Sequence, residues 1–467
     1  MELKPLFTYA EDTERELSPV FPDIEDTKVE LEPLLTDTED SSDIDSSSSE
    51  SKPMTTEQKF TLVSLSISYA FSSAFYSMLG PIYPQEAKRK GVSQLMTGLI
   101  FGVHALVVFA TSPFFGKYLY RIGAKFMLIV GLLVAGISNV IFGFLDDSPD
   151  GLVYVVLCLI VRTLEGLGCS AFETAGFAIM AYTFPSRVST MFGIIEAVIG
   201  FGFMVGPVIG GALYQVGGFK LPFILSGALV IIVAMVCIWL LPSTQGVAQL
   251  KGSILPLFKM PITFILYYCI FAGAVVVSFL DISFALHLKP LHLSPILVGA
   301  VFLISGGVYA LLSPLVGYIL DKTGWYKRSM ALGGLLALVA FSLMGPSPFI
   351  SLPKNSLWLN IVASVVLGIS FCTLLIPPLQ ELVTAAFESG YPKNLDTYGM
   401  TSGLYKSAFY IGTFAGSVGG GFILDKIGFS WTALITGLVG VSCTLLLALY
   451  GAVKMFCFKP TKDGCLL

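Results

Sequence analysis

Long apolar segments separated by short polar connections recur from Phe60 almost to the end of the chain. The hydrocarbon core of a bilayer is about 30 Å thick, so an α-helix needs roughly 20 apolar residues to cross it. Twelve segments meet this requirement, which predicts an all-α polytopic membrane protein with 12 transmembrane helices in two six-helix halves. The predicted helices cover residues 60–82, 95–116, 125–145, 152–182, 189–214, 222–241, 262–286, 295–320, 329–349, 357–380, 400–423 and 429–453.

Polar segments divide the chain into domains. Residues 1–59 are predicted to be a disordered cytoplasmic tail, because their acidic and serine-rich composition cannot bury enough apolar surface to offset the entropy of ordering. The halves 60–241 and 262–453 are joined by a cytoplasmic linker, 242–261, and residues 454–467 form a second cytoplasmic tail.

The acidic tail contains a short pattern, Glu30-Leu-Glu-Pro-Leu34-Leu35. It resembles the acidic dileucine sorting signal of endosomal and vesicular membrane proteins, which implies sorting adaptors as partners. A chance leucine pair in an acidic tail explains the same residues equally well, because patterns this short arise often.

The composition narrows the possible functions. Hydrophobic residues make up 55% of the chain and charged residues 12%, as is typical of polytopic membrane proteins. Of the 31 Asp and Glu residues, 17 lie in the first 57 positions, and no basic face suited to nucleic acid is present. The eight cysteines have no disulfide or metal spacing. Because no nucleophile–base pair or phosphate loop is present either, we expect neither an enzyme nor a bound cofactor or metal.

Lys and Arg in the short loops predict the orientation. With both termini in the cytoplasm, the cytoplasmic loops and C-terminal tail hold 13 of these residues and the opposite loops hold seven. An acidic cluster, Asp146, Asp147 and Asp150, lies on the side with fewer basic residues. Both termini are therefore predicted to be cytoplasmic.

A loop motif repeats between the two halves. The segment GKYLYRIG (116–123) follows the second helix, and GYILDKTG (317–324) follows the eighth helix 201 residues later. Repeated halves are typical of transporters whose substrate site lies between them near the midplane.

The fifth predicted helix is rich in glycine, with Gly206-Pro207-x-x-Gly210-Gly211 near its centre. Each glycine costs roughly 1 kcal/mol in a water-exposed helix, whereas in lipid small residues allow helices to approach closely. This block resembles the antiporter signature of the major facilitator superfamily, drug:proton antiporter branch. The repeated loops and RTLEGLG (162–168) resemble other motifs of that branch. The resemblance covers nearly all of residues 60–455 and implies these conformational residues: Gly116, Arg121, Gly123, Gly206, Pro207, Gly210, Gly211, Gly317, Asp321, Lys322, Gly324 and Arg328.

Two further segments, FLDI (279–282) and IPPLQE (376–381), resemble the vesicular amine transporter family more closely. The first helix has no aspartate, whereas monoamine-carrying members have one that pairs with the amine. The resemblance is greatest to the polyamine-transporting member, and it implies a polyamine or another organic cation as cargo.

Charged residues inside predicted helices are functional candidates, because a charge in the bilayer interior costs at least about 2.5–3.5 kcal/mol. Arg162 and Glu165 lie one turn apart and can form a pair, and His104 is predicted to be a hydrogen-bonded residue of the second helix. The candidates for substrate or proton coupling are Arg162, Glu165, Glu173, Glu196, Asp281, Glu381 and Lys406.

One contact between the halves follows from the repeat. Aligning the halves on Gly193 and Gly403 puts Glu196 opposite Lys406, each three residues further on. Such a pair is either a gate that opens and closes during transport or a permanent structural contact, and the sequence favours neither.

The function predicted from these features is proton-coupled antiport of an organic cation from the cytosol into an acidic vesicle. A proton from the lumen would neutralise Glu196 or Asp281 and release the cation. The alternatives are a broad-specificity drug or organic cation:proton antiporter and a non-transporting membrane sensor of the same fold. We expect a monomer in the membranes of secretory, endosomal or lysosomal vesicles, with the cation, protons and the bilayer as partners.

Overall fold

Every regular element is a helix within the residues that the computed structural model describes: 53–242, 257, 259–293, 295–345, 353 and 356–457. The predicted sorting signal Glu30, Leu34 and Leu35 lies outside them, as do most of the linker and of both predicted tails. The helices are α1 (Thr56–Arg89), α2 (Gln94–Ile122), α3 (Ala124–Phe144), α4 (Leu152–Thr183), α5 (Val188–Gly217), α6 (Lys220–Leu240), α7 (Pro261–Leu288), α8 (Pro295–Thr323), α9 (Tyr326–Met344), α10 (Leu357–Leu375), α11 (Pro377–Glu388), α12 (Leu395–Phe414) and α13 (Gly420–Cys457).

Eleven helical segments of the described chain are long and apolar enough to cross a membrane. The last, Leu395–Met455, has 61 residues. A straight helix of that length would measure about 90 Å, roughly three times the hydrocarbon thickness. Gly428 interrupts it with φ 79° and ψ 174°, so the segment makes two crossings. The described chain therefore makes 12 crossings, and the predicted fold class is confirmed.

Local signals set the ends of several helices. α1 begins at Thr56 rather than at residue 60, because Thr55 and Gln58 form a reciprocal capping box at its start. The tenth crossing continues past the predicted residue 380 to Glu388, with a break between α10 and α11 at Ile376.

The last glycine of each repeated loop motif adopts a backbone conformation with a positive φ, which favours glycine. Gly123 and Gly324 follow α2 and α8 with φ values of 90° and 68°. Residues with a Cβ rarely adopt this conformation, and glycine adopts it readily. The motif glycines therefore turn the chain sharply into α3 and α9.

The two halves, α1–α6 and α7–α13, meet mainly along three helix pairs: α2 with α12, α5 with α8, and α4 with α12. The first two pairs are equivalent under the pseudo-symmetry that relates the halves. The third pair has a smaller counterpart in the contact of α5 with α11. We call the end that holds Gly123 and Gly324 the motif end, and the opposite end, which holds the α1–α2 and α7–α8 connections, the far end.

Glycines bring the two halves into backbone contact at the motif end. A methyl group on Gly193 would overlap the Ser313 carbonyl of α8, and one on Gly317 would overlap the Ser189 carbonyl of α5. The equivalent contacts of α2 with α12 place Gly116 against Gly399 and Gly403 against Ser112. Small residues permit this close approach, so the motif end is closed.

Three other glycines of α5 serve a different contact. Gly202, Gly206 and Gly210 recur at intervals of four residues and lie against α1 within the first half, so the stripe brings α5 close to α1. Gly211 faces open space, and Pro207 lies within the helix.

Candidate functional site

An ion pair joins the two halves at the centre of the bundle. The Nζ atom of Lys406 on α12 lies 2.8 Å from Oε2 of Glu173 on α4, with side-chain exposures of 7% and 14%. Oε2 accepts no well-aligned hydrogen bond from the described residues, so this contact is an ion pair rather than a hydrogen bond. The hydroxyl of Tyr410 donates a 2.8 Å hydrogen bond to Oε1. Two groups of α12 therefore hold the Glu173 carboxylate.

Aromatic rings flank the Lys406 ammonium. Its Nζ lies 3.8 Å from the ring centroid of Phe177 and 6.0 Å from that of Phe409. Phe177 is buried and makes an edge contact with Phe192 at 4.8 Å between centroids. A desolvated cation over an aromatic face gains about 2 kcal/mol or more. A ring and a carboxylate together therefore stabilise an alkylammonium group here.

A second carboxylate also connects the halves. The hydroxyl of Tyr309 on α8 donates a 2.8 Å hydrogen bond to Oε2 of Glu196 on α5. Glu196 is partly exposed, and it interacts electrostatically with both Lys406 and Glu173. Glu173, Glu196 and Lys406 thus form one electrostatic group built from both halves.

The predicted direct contact between Glu196 and Lys406 is wrong, because Lys406 contacts Glu173 instead. Gly193 packs against α8 whereas Gly403 packs against α2. Positions that are equivalent in the two halves therefore lie at a similar depth, but they face different helices. Lys406 acts on Glu196 only at longer range.

Asp281 lies in the last third of α7, toward the far end, and its side chain is exposed. It interacts electrostatically with Tyr76 of α1, as do Arg162 and Glu165 of α4. Asp281 therefore lies within electrostatic range of the other half of the protein.

Arg162 and Glu165 form the buried pair that their spacing predicts. Nη1 of Arg162 lies 2.5 Å from Oε2 of Glu165, and the two side chains are 2% and 5% exposed. The guanidinium lies over the ring of Tyr76, 5.8 Å from its centroid. Nε and Nη2 of Arg162 have no hydrogen-bond partner among the described residues.

His104 was predicted to be hydrogen-bonded, and this is wrong. Its ring is fully buried, and neither nitrogen has a hydrogen-bond partner in the described part of the chain. Ligand atoms of His104, Glu165 and Cys169 all lie within 4.8 Å of one another, a combination of donors that suits zinc. The Arg162 guanidinium, bound to Glu165, would repel a divalent ion there. His104, Glu165 and Cys169 could therefore bind a metal ion only if the binding free energy exceeded that electrostatic repulsion.

Glu381 lies apart from this central group. It forms an ion pair with Lys327 at 3.2 Å, and Lys327 is 46% exposed. Lys327 lies in the first turn of α9, whereas Glu381 lies on α11, so the pair joins two helices of one half at the motif end.

The acidic residue of the second loop motif binds the other half. Oδ2 of Asp321 accepts hydrogen bonds from the Thr190 backbone N–H at 2.7 Å and from its hydroxyl at 2.6 Å, and Oδ1 accepts one from the Ser189 N–H at 3.1 Å. These amides belong to the first turn of α5, whose own residues supply no side-chain cap. Asp321 therefore caps α5 from across the interface.

The first loop motif has no such acid. Tyr120 stands at the position equivalent to Asp321, and α12, which corresponds to α5, is capped by its own Asn394 instead. The basic motif residues Arg121, Lys322 and Arg328 are exposed at the motif end. The guanidinium of Arg121 lies 5.8 Å from the Tyr118 ring centroid, and that of Arg328 lies 5.3 Å from Trp325.

Comparison with known proteins identifies the family. The sequence profile of the Major Facilitator Superfamily matches residues 65–395. This chain belongs to that superfamily. It is therefore a membrane transporter and not an enzyme.

Several members of the superfamily are similar along most of the chain. MFS-type transporter SLC18B1 of Mus musculus is 36% identical over 403 residues, which cover 86% of this chain and 88% of that protein. The protein of the same name in Homo sapiens is 36% identical over 416 residues, which cover 89% and 91%. The synaptic vesicular amine transporter of Bos taurus is 27% identical over 374 residues, covering 77% of this chain and 66% of the relative.

A solved structure shares the fold. The human organic anion transporter MFSD10 (TETRAN) matches with a TM-score of 0.66 and 16% identity, and the match covers 84% of this chain and 99% of that one. At this identity the likeness concerns the fold alone.

Three residues at the central site have no specific signal in the sequence. Tyr309, Tyr410 and Phe177 contact Glu196, Glu173 and Lys406 respectively. All three are aromatic residues in apolar helices, where packing is the usual role. Only the arrangement of the helices distinguishes them from the many aromatic residues that pack elsewhere.

Proposed function

We propose that this transporter is a proton-coupled antiporter that moves organic polycations, such as the polyamines spermine and spermidine, from the cytosol into acidic vesicles. The observation that carries the proposal is the central electrostatic group. Glu173 and Glu196 of the first half share the interface with Lys406 of the second half. An alkylammonium in contact with a carboxylate and an aromatic ring has the environment that a cationic amine cargo needs.

The arrangement of the acidic residues favours an elongated cargo. Glu173, Glu196 and Asp281 lie on three different helices, and Asp281 lies further toward the far end than the other two. Polyamines carry several ammonium groups separated by methylene chains, so one molecule can reach several carboxylates. Similarity to synaptic vesicular amine transporters supports an amine cargo.

Proton coupling follows from the chemistry of carboxylates in a dry site. A carboxylate removed from water is stabilised either by a cation or by taking up a proton. A proton that arrives from an acidic lumen therefore competes with the cargo for the same oxygen atoms. Each transport cycle therefore exchanges the two ions: the cation is released into the lumen and the proton into the cytosol.

The direction of transport rests on the predicted orientation. The excess of Lys and Arg supports a cytoplasmic motif end. The closed motif end and the exposed Asp281 then correspond to a conformation that is open to the lumen. The sorting pattern Glu30, Leu34 and Leu35 supports a vesicular location, with sorting adaptors as partners. The central group lies within one chain, and we therefore propose that the transporter acts as a monomer.

Uptake into acid-interior proteoliposomes tests the proposal. The purified protein should accumulate labelled spermine in preference to serotonin and acetylcholine, and dissipating the pH gradient should stop the uptake. Asp281→Asn should abolish proton-driven uptake, whereas Asp425→Asn, an exposed acid of α13 three residues before the Gly428 kink, should leave it unchanged.

Three other results would each contradict part of the proposal. Uptake of bulky aromatic cations in competition with spermidine would indicate a broad-specificity antiporter instead of a polyamine transporter. The absence of any cation-dependent proton flux would indicate a non-transporting sensor. Unchanged uptake by Asp281→Asn would remove that residue from the coupling mechanism.

A further inference from the structure

The side chain of Lys406 ends in the same chemical group as a primary amine cargo, a methylene followed by –NH3+. That group lies 2.8 Å from Glu173 and 3.8 Å above the ring of Phe177, and the hydroxyl of Tyr410 fixes the other carboxylate oxygen. We infer that these three residues form a binding subsite for a primary ammonium group, and that Lys406 occupies it as a tethered stand-in until a cargo ammonium displaces it. This inference rests on the proposed function.

The Glu173–Lys406 ion pair lies between the two halves, and this location explains why Lys406 must leave Glu173 during transport. Glu173 belongs to α4 and Lys406 to α12, so their contact holds the two halves together. The halves must separate here for cargo to pass between them. Separation without a replacement would leave the Glu173 carboxylate buried and unpaired, which is strongly unfavourable.

A cargo ammonium removes this penalty because it takes the place of the lysine. Its binding to Glu173 releases Lys406 and with it one link between α4 and α12. Without a cargo cation or a proton on Glu173, the link persists and the halves stay together. The lysine in this way holds the transporter in one conformation when neither a cation nor a proton is bound to that carboxylate.

The contact geometry also defines which amines fit. The 2.8 Å between Nζ and Oε2 leaves room only for hydrogen atoms, and not for methyl groups, between the nitrogen and the carboxylate. A quaternary ammonium has no N–H, and its methyl groups hold the charge further from the oxygen. The subsite should therefore prefer primary amines to quaternary ones.

A permanent structural role is the competing explanation for the Glu173–Lys406 ion pair. Substitution of Lys406 distinguishes this explanation from the stand-in role. Equilibrium binding of labelled spermidine should be measured on the purified full-length protein. If Lys406 is a stand-in, Lys406→Met removes a competitor, and the Kd should fall about tenfold. If it only stabilises the fold, the Kd should stay the same or rise.

Three variants complete the test. Glu173→Gln should raise the Kd at least tenfold, and the Lys406→Met, Glu173→Gln double variant should bind like Glu173→Gln alone, because the subsite is already lost. Lys220→Met is the matched control. It removes a lysine that pairs with Asp147 at 2.6 Å outside the interface, and it should leave the Kd within twofold.

A measurement on the unmodified protein keeps the inference testable if Lys406→Met fails to fold. Spermidine should bind at least tenfold more tightly than its fully N-methylated analogue, and equal binding would overturn the subsite. A Kd that is unchanged or raised in folded Lys406→Met, while the unmodified protein still takes up spermidine with proton coupling, would overturn the stand-in alone. No cation uptake by the unmodified protein would overturn the proposed function and this inference together.

Discussion

The carboxylate of Asp321, at the end of α8, accepts a 2.7 Å hydrogen bond from the backbone N–H of Thr190, at the start of α5. A residue of one half thus completes the first turn of a helix in the other. When the halves separate at the motif end, α5 must lose this cap. The loop motif therefore links the stability of a helix end directly to the conformation of the whole transporter.

Asp321→Ala should loosen the first turn of α5. Loss of a side-chain N-cap typically costs about 1 kcal/mol, so the amides of Ser189 and Thr190 should exchange hydrogen roughly fivefold faster. Hydrogen–deuterium exchange of the peptide that covers residues 188–193 measures this. Asn394→Ala is the matched control, because it should loosen the start of α12 without changing the exchange of α5. Equal exchange in Asp321→Ala and the unmodified protein would show that the cap is unimportant.

Gly193→Ala should weaken closure at the motif end. The added methyl group would overlap the backbone carbonyl of Ser313, which cannot move like a flexible side chain. We expect normal expression and membrane insertion but at least a tenfold loss of uptake. Gly211→Ala lies on the same helix and meets open space, so it should retain uptake. A fully active Gly193→Ala would contradict the backbone contact between α5 and α8.

Tyr309 and Glu196 should prove energetically coupled in a double-mutant cycle. A hydrogen bond to a charged group contributes about 1.5–3 kcal/mol, so Tyr309→Phe and Glu196→Gln should show a coupling energy of that size. Unfolding by SDS in mixed micelles is the measurement. Tyr405→Phe is the control, since that hydroxyl donates to the Leu375 backbone carbonyl within its own half. A coupling of Glu196 to Tyr405 as large as to Tyr309 would argue against a specific bond.

Arg162 and Glu165 should tolerate joint replacement better than single replacement. Breaking a buried ion pair costs about 3–5 kcal/mol, whereas replacing both partners with apolar residues is often neutral. Glu165→Gln should therefore reduce thermal stability markedly, and Arg162→Met combined with Glu165→Leu should restore it. Uptake by the restored double variant then decides the role of the pair: full uptake assigns it to structure, and a stable but inactive protein assigns it to transport.

The transmembrane architecture could be predicted from the sequence because the bilayer imposes a length and a composition on each crossing. The loop repeats predicted the two halves, and the spacing of Arg162 and Glu165 predicted a contact within a single helix. In such cases the chain itself fixes the geometry.

Contacts between the halves were harder to predict. The repeat correctly indicated which positions are equivalent, but Glu196 and Lys406 face different neighbours because α5 packs on α8 while α12 packs on α2 and α4. The partners of these charges depend on helix rotation and crossing geometry, which the hydropathy pattern leaves open. For the same reason Tyr309 and Tyr410 could not be distinguished from ordinary packing residues.

The seal at the motif end consists largely of glycines set against carbonyl groups, at Gly116, Gly193, Gly317 and Gly403. At these four positions no side chain projects that could recognise a ligand or change its rotamer. Cargo preference can therefore evolve through the middle of the bundle while the closing surface stays the same. The machinery of alternating access is in this sense modular, and one closing mechanism can serve transporters with different substrates.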